Sequence, residues 1–427
     1  MAKLSVDQSN VLIAIDISKD RHDVLLELPD GKRKEFKVGN HKADFDRFAA
    51  YLGELGLICH IAFEATGDYH RALANYLHNQ GFKLYLVSSI ATARTREALY
   101  NTWDKNDSKD AQVILHLLKT GTTQIYHDPL THNYNDLQEI ANTYQQVSQR
   151  KTRLLHSILN HYLPLYFPEA QRYCHSSRAQ WLAKLLVFAP CPAVILKYSK
   201  EDFIVRVEEM GGYKRDKARW LADYYETAKN SIGLPVEETA SAITMFRMVL
   251  MEYLDCCKLR SQIEELASQK LMNHPDYLHL QTIPGIGPVL ALLILAEGGD
   301  LRRFSHYRKF LKYCGLDLCT EQSGKFKGIS RLSKRGNARL RYAFWLAATV
   351  AIRVKENSFR RKYDNYIKRD PNNSDLKRKA YTAVAAKVAR VAYGLIKTGT
   401  DYRRFIEAVE PSGRIPSQLA VEAISTS

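Results

Sequence analysis

Residues 11–38, VLIAIDISKDRHDVLLELPDGKRKEFKV, hold three strand-like runs in quick succession: VLIAID, HDVLLEL and RKEFKV. The second and third are joined by PDGK, a sequence suited to a tight hairpin turn, so three sequential antiparallel strands are expected. The pattern then changes to an amphipathic helix over about 41–56, a strand ICHIAFEA, a helix through RALANYLHNQ, a strand KLYLV and a helix AQVILHLLK. Hairpins followed by alternating α/β units predict a mixed sheet flanked by helices.

From about residue 131 the alternation stops. Leu137, Ile140, Tyr144, Val147, Lys151, Leu154 and Ile158 keep a 3-4 spacing, which predicts a long helix with a coiled-coil seam. A second helical stretch over about 240–272 carries Ile243, Phe246, Leu250, Tyr253, Leu254, Ile263 and Leu266, so the two could pair with each other or mediate dimerisation. Between them, 163–235 is irregular and rich in Pro and aromatic residues, with no functional reading. The expected fold class is α/β plus α: an α/β domain over 1–128, a helical and possibly coiled-coil middle over 129–275, a basic helical domain over 276–405 and a loose tail over 406–427.

The length of 427 residues exceeds what one core normally supports, and 45% hydrophobic with 25% charged residues is a globular composition. No apolar run reaches the roughly 20 residues of a membrane span. The opening MAKLSVDQSNVLIAIDISKD has one lysine and a short apolar stretch that runs into acidic residues, unlike a signal peptide, so the cytoplasm is the expected compartment. Seven cysteines without a CxxC pair argue against a disulfide framework or a zinc site and read as buried small hydrophobes. The net charge of +16 is unevenly spread: residues 301–404 contain 27 Lys and Arg against 7 Asp and Glu, while the rest of the chain is slightly acidic. A basic domain on an acidic remainder predicts a polyanionic partner, with nucleic acid favoured.

Four carboxylates stand at structurally related places. Asp16 ends the first apolar strand, Glu64 ends ICHIAFEA, and Asp107 and Asp110 lie three apart where a helix begins. Strand ends and helix starts meet at one edge of an α/β sheet, and positions i and i+3 share a helix face. Four converging carboxylates would repel without a divalent cation, and oxygen-only ligation suits Mg²⁺ or Mn²⁺ and two-metal phosphoryl transfer. Taken singly, each is more often a helix cap or surface group; as a set the signal is more specific. Asp20, Asp23, Asp68 and Asp104 read as solvated or turn residues.

In the C-terminal third, IPGIGPVLA has the form of a helix-hairpin-helix turn, in which Gly285 and Gly287 would let backbone amides approach a phosphate. A plain glycine turn between packed helices fits those nine residues equally well. Downstream, EQSGKFKGISRLSKRGNARLR places Ser323 in a polar loop followed by Lys325, Lys327, Arg331, Lys334, Arg335, Arg339 and Arg341, cations suited to binding phosphate. An SG pair is most often a turn, yet a serine hydroxyl here could attack a phosphodiester. Ser330 and Ser333 are competing positions. Phe359, Tyr363, Tyr366 and Tyr381 lie among basic residues and could stack on bases, whereas the apolar positions of TAVAAKVARVAYGLI read as core.

The segments IAIDISKDRHDVLL, AFEATGDYH and KNDSKDAQVI resemble the three acidic motifs of DEDD transposases of the insertion-sequence 110 family, which includes Piv-type invertases. IPGIGPVLALLILAEGGDLRRFSHYRKFLKYCGL and SGKFKGISRLSKRGNARLR extend the resemblance to the C-terminal third. The resemblance implies an N-terminal domain similar to ribonuclease H and RuvC, with Asp16, Glu64, Asp107 and Asp110 as a metal-binding tetrad. It further implies a serine nucleophile, matched to Ser323, that works with the tetrad on DNA, and a guide RNA encoded by the element. A homo-oligomer, dimer or tetramer, is expected. Two rivals remain open at this point: a RuvC-like nuclease that uses water, and a non-catalytic DNA-binding protein.

Overall fold

The computed structural model describes residues 10–403 apart from 66, 101–106, 128–129, 131–133, 176–178, 210–216, 321, 324–325 and 329. Two compact units result, Met1–Asn135 and Asp136–Ser427, so the helical middle and the basic region fall in one unit.

In the first unit, β1 (Asn10–Asp16), β2 (Arg21–Glu27) and β3 (Arg33–Gly39) form the expected antiparallel hairpins. The chain continues through α1 (Lys42–Glu54), β4 (Ile58–Glu64), α2 (His70–Asn79), β5 (Lys83–Val87), α3 (Ser89–Tyr100), α4 (Asp107–Lys119) and β6 (Gln124–Ile125). The sheet order is β3-β2-β1-β4-β5-β6, with β4 parallel to both β1 and β5. Three antiparallel strands followed by parallel ones make the ribonuclease H-like arrangement that the motif resemblance implies. Both faces of β1 are buried, so the strand reads as a continuous apolar run. Val11, Ile13 and Ile15 pack with Phe45 and Phe48 of α1 and Leu73 and Leu77 of α2, while Leu12 and Ala14 face the opposite layer.

That opposite layer is chiefly α4. Val113, Ile114, Leu115, Leu117 and Leu118 bury against Leu12, Ala14, Leu25 and Ala62, a contribution on the order of 10 kcal/mol before chain entropy is subtracted. Apolar burial decides which face α4 covers; a single ion pair helps decide its direction. Lys119, the last residue of α4, sits 2.5 Å from Glu27, which also accepts from Arg33 Nε at 2.8 Å. Glu27 is paired in register with Leu12 near the start of β1, whereas Ala111 near the start of α4 lines a hollow with Asp23, Val24 and Leu25. Hence α4 runs antiparallel to β1, and its N-terminus lies over the carboxyl end of β1.

In the second unit, α5 (Asn135–Ser157) runs into a π-helical turn at Ile158–Tyr162 and then α6 (Leu163–Tyr166). Pro164 offers no amide and crowds the carbonyl four residues earlier, which accounts for the widened turn. After a 3-10 turn at Pro168–Tyr173 come α7 (Ala179–Phe188), α8 (Pro192–Ile195), α9 (Lys200–Glu209), α10 (Lys217–Lys229) and α11 (Ser241–Leu271). The irregular 163–235 stretch is thus a small helical cluster around Phe167, Phe203, Tyr224 and Phe246. The two predicted long helices pair within the chain: Tyr144 and Val147 pack with Cys256 and Ile263, and Tyr144 Oη donates to Glu264 at 3.1 Å. Arg150 pairs with Glu252 at 2.6 Å, and Lys270 pairs with Asp136. Rising numbers on one helix meet falling numbers on the other, so the pair is antiparallel.

The remainder is α12 (Pro275–Gln281), α13 (Pro288–Gly298), α14 (Tyr307–Tyr313), β7 (Leu318–Cys319), β8 (Gln322–Ser323), β9 (Phe326–Lys327), β10 (Arg331–Leu332), α15 (Ala338–Ala351), α16 (Ser358–Ile367) and α17 (Ser374–Thr398). Ala380, Val384, Ala385, Val388, Ala389 and Ala392 of α17 are core, as their spacing predicts. Phe359 and Tyr363 are also buried, because they fall on the inner face of α16, and so are not available for stacking on bases. Of the cysteines, Cys319 is exposed and Cys174 half-buried; the other five are buried. Among the described residues no helix is long and apolar enough to cross a membrane.

Burial opposes the charge on Glu27, but hydrogen bonds and attraction from Lys119 and Arg33 outweigh it and hold its pKa below the ordinary carboxylate value. A depressed folded pKa contributes stability above the unfolded value of about 4.3, lost as pH falls through the folded value. Glu27→Gln is therefore expected to lower the melting temperature at pH 7 by about 3 °C, the shift for about 1 kcal/mol in a domain of this size. The gap to the wild-type protein should close as circular-dichroism melts are taken below about pH 4; a gap that persists in acid would mean that the ion pairs do not hold α4.

Candidate active site and nucleic-acid interface

Asp16 and Glu64 are brought together by strand pairing alone. Ile15 is the register partner of Phe63 on the adjacent parallel strand, so the next residues, Asp16 and Glu64, are lateral neighbours about 4.8 Å apart at the backbone. Alternation puts both on the face of Leu12, Ala14 and Ala62, the face α4 covers. Both are only partly buried, because the helix begins there and leaves the sheet end open. Asp107 is the first residue of α4 and Asp110 lies one turn in, where acidic side chains also favour the positive end of the helix dipole. The side chain of Asp107 lies outside the described residues.

Asp110 is almost fully buried and has a cation on it: Arg96 of α3 donates from Nε at 2.6 Å and approaches with Nη2 at 2.5 Å, both to Oδ1. A cation of the chain itself thus lies against one of the four carboxylates. Nothing local in the sequence marks Arg96, because α3, SIATARTREALY, lacks a strong apolar face. Asp23 was read as solvated, yet it is the cross-strand partner of Asp16 on the same face and is held by Lys37 at 3.4 Å. Register arithmetic across the short β1–β2 turn is the signal that would have found it.

Among the described residues, no three His, Cys, Asp or Glu side chains stand close enough to cage an ion. The donor set nevertheless fits Mg²⁺ or Mn²⁺, which take hard oxygen ligands from one or two carboxylates and keep several waters. Asp16 and Glu64 side by side at an open sheet end are such a pair.

In the second unit, Ser323 pairs in register with Phe326, so it flanks the two-residue tip of a hairpin; its side chain and that of Lys327 are not described, and Lys325 lies outside the described residues. β7 and β10 form the base of the same ribbon, Cys319 opposite Arg331. The rival serines are tied into that base. Ser330 Oγ lies 2.7 Å from Thr320 Oγ1, and Ser333 Oγ donates to Asp317. Arg331, Lys334 and Arg335 are exposed. Arg339 is shared with Glu297 at 3.1 Å, and Arg341 donates to the carbonyls of Lys334 at 3.1 Å and Cys314 at 3.4 Å. Arg341 thus also holds the end of the ribbon, at Lys334, against α15, while Arg339 ties α15 to α13.

The turn between α12 and α13 gives its two glycines different duties. Gly285 has φ +92°, and a Cβ there would collide with the backbone of α15 at Ala347 and Ala351. Gly287 caps α13 with open space around it. A groove lined by Ile283, Gly285, Gly287, Val350, Val354 and Tyr402 runs along this turn. Close packing against α15 and the positive φ account for the glycine at 285.

Two family models match the chain. One, described as a transposase and built on DEDD transposases of IS110, matches residues 13–168; the other, the transposase IS116/IS110/IS902 family, matches 277–364. Over 368 residues the chain is 24% identical to the mini-circle protein of Streptomyces coelicolor described as a transposase for IS117, covering 82% of this chain and 86% of that one. It is 22% identical to the 43.6 kDa protein of insertion element IS110 from the same organism, covering 92% and 95%. A transposase for IS1111A from Coxiella burnetii is 30% identical over 33% of this chain and 38% of its own. Among solved structures, T. thermophilus RuvC in complex with a Holliday junction substrate matches 27% of this chain and 99% of its own, at 12% identity and a TM-score of 0.20.

Gly285→Ala is expected to destabilise the second unit by about 3 kcal/mol, from the strained left-handed φ plus overpacking against α15. Gly287→Ala should cost about 1 kcal/mol or less, the loss of a good cap. Denaturant titrations of both variants check this, and equal effects would remove the distinction between the two glycines.

Proposed function

Because the chain belongs to the IS110 family of DEDD transposases, we propose that it cleaves and rejoins DNA by way of a covalent serine link, with Asp16, Glu64, Asp107 and Asp110 as the metal-holding set and Ser323 as the nucleophile. The observation that carries this reading is the side-by-side placement of Asp16 and Glu64 at the open end of the sheet, under the start of α4. A bound Mg²⁺, or Mn²⁺, would supply Lewis-acid polarisation of a phosphoryl oxygen and lower the pKa of a coordinated hydroxyl.

Ser323 Oγ attacks the scissile phosphorus, forming one O–P bond as the bond to the departing deoxyribose oxygen breaks; the serine proton passes to a base and the departing oxygen takes up a proton. The number of phosphodiester bonds is conserved, so the link retains the energy needed to rejoin. Among the described residues Arg331, Lys334 and Arg335 are exposed cations that follow Ser323 in sequence, and they are suited to stabilising charge on the non-bridging oxygens. The position of Ser323 beside a hairpin tip, with Ser330 and Ser333 already hydrogen-bonded to structural partners, favours it as the attacking group. The division of labour follows the sequence regions: 1–128 would hold metal and 276–405 would hold DNA. Family membership is also the ground for proposing a guide RNA transcribed from the element and a homo-oligomeric assembly; sequencing the nucleic acid that copurifies with the protein tests the RNA.

Asp16→Asn is expected to abolish strand cleavage at millimolar Mg²⁺ while leaving melting temperature and most DNA affinity intact, since the basic surface is untouched. Cleavage at the wild-type rate would remove Asp16 from the site.

Ser323→Ala should fold, bind DNA and yield no covalent product, because loss of one hydroxyl that makes no buried contact typically costs within about half a kcal/mol of stability. A denatured wild-type reaction on labelled DNA should leave label on the peptide containing Ser323. Label on Ser330 or Ser333 would move the assignment, and cleavage with no labelled peptide would favour attack by water, as in a resolvase-like nuclease.

A further inference from the structure

The contact between α3 and α4 has a small apolar part, Ala91 and Tyr100 against the cluster that α4 buries, and a larger polar one. Of α3 only Thr92 is fully buried, and its polar ties to α4 include Arg96 to Asp110, Tyr100 Oη donating to Gln112 at 2.6 Å, and the Lys109 ammonium 5.6 Å from the Tyr100 ring centroid. Arg96 is therefore the part of α3 that reaches the carboxylate edge. The Asp110 side chain is only 5% exposed and that of Arg96 17%, so the pair is largely shielded from solvent. A buried carboxylate without a cation would be strongly disfavoured.

The geometry of the pair is informative. An arginine facing a carboxylate usually spreads its fork over both oxygens. This protein makes such a pair elsewhere: Arg302 donates from Nη1 to Asp276 Oδ2 at 2.8 Å and from Nη2 to Oδ1 at 2.7 Å. At Asp110, by contrast, Nε and Nη2 of Arg96 both converge on Oδ1. Arg96 thus fixes the carboxylate by one oxygen and leaves Oδ2 outside the fork.

We propose that Arg96 is a positioning residue for the carboxylate edge: it neutralises and orients buried Asp110 through Oδ1 so that Oδ2 is presented to a divalent metal. This rests on the metal-holding reading of Asp16, Glu64, Asp107 and Asp110. Partners that hydrogen-bond a metal-ligating carboxylate typically contribute 10- to 100-fold in metal affinity, by keeping the ligand in place before the ion arrives. Lysine would keep the charge but, as a single point donor, would not fix the carboxylate plane.

The test measures metal rather than turnover. Free Mn²⁺ is followed by electron paramagnetic resonance during titration into the full-length wild-type chain and the Arg96→Gln, Arg96→Lys and Asp16→Asn variants. Both Arg96 variants should bind Mn²⁺ about tenfold more weakly, with Arg96→Lys keeping a melting temperature close to that of the wild-type protein. Wild-type affinity in Arg96→Lys would overturn the proposal, because charge alone would then suffice. Unchanged or tighter binding by Arg96→Gln would also overturn it, by making Arg96 a bystander or a competitor of the metal. Asp16→Asn separates the two levels: weakened binding there with no effect at Arg96 defeats only the positioning role, whereas unchanged binding in Asp16→Asn defeats the metal-holding reading itself.

Discussion

The seating of α4 on the sheet is the constraint on which the first unit depends. Five large apolar side chains commit the helix to the face of Leu12, Ala14 and Ala62, and Lys119 on Glu27 ties its far end to β2. With that end pinned over the start of β1, the helix start can only lie over the other end, where Asp16 and Glu64 emerge side by side. Hydrophobic burial, which has no direction of its own, selects the face; one buried carboxylate with two cations selects the polarity. The acidic edge is a consequence of those two choices, and α3 reaches it through the charge of Arg96.

The second unit is organised differently, by helix pairing. The antiparallel contact of α5 and α11 is apolar at Tyr144, Val147, Cys256 and Ile263 and is flanked by ion pairs at Arg150–Glu252 and Asp136–Lys270. Those pairs are solvent-exposed and worth little individually, so the register rests on the packed side chains. The basic region then builds a helical base, in which small residues of α15 and α17 permit close packing and Gly285 lets the α12–α13 turn lie against α15. On that base stands the ribbon with Ser323 beside its tip. Arg341 binds backbone carbonyls and Arg339, though exposed, is paired with Glu297, so a run of cations in sequence divides into those with structural partners and those, such as Arg331, Lys334 and Arg335, that are exposed.

The hairpin opening, the strand and helix order through KLYLV, and the places of Asp16 and Glu64 at strand ends were all legible in the sequence. The reason is that period-2 alternation, a PDG turn and apolar runs are local signals that the backbone must obey. The core of α17 and the seam of α5 were readable in the same way, from their spacing. What the residues alone left open was decided by contacts distant in the chain. The seam could have served a second chain, and it is filled by α11, about a hundred residues away. Asp23 looked like a turn residue until the β1–β2 register set it opposite Asp16. Phe359 and Tyr363 looked like stacking platforms because they sit among lysines and arginines, but the inner face of α16 takes them into the core. Arg96 had no pattern to reveal it, since α3, held to its neighbour largely by polar contacts, carries no strong apolar stripe. Local order is written in the sequence because it depends on neighbours a few residues apart; which charges end up buried together depends on how the elements stack, and only the tertiary structure decides that.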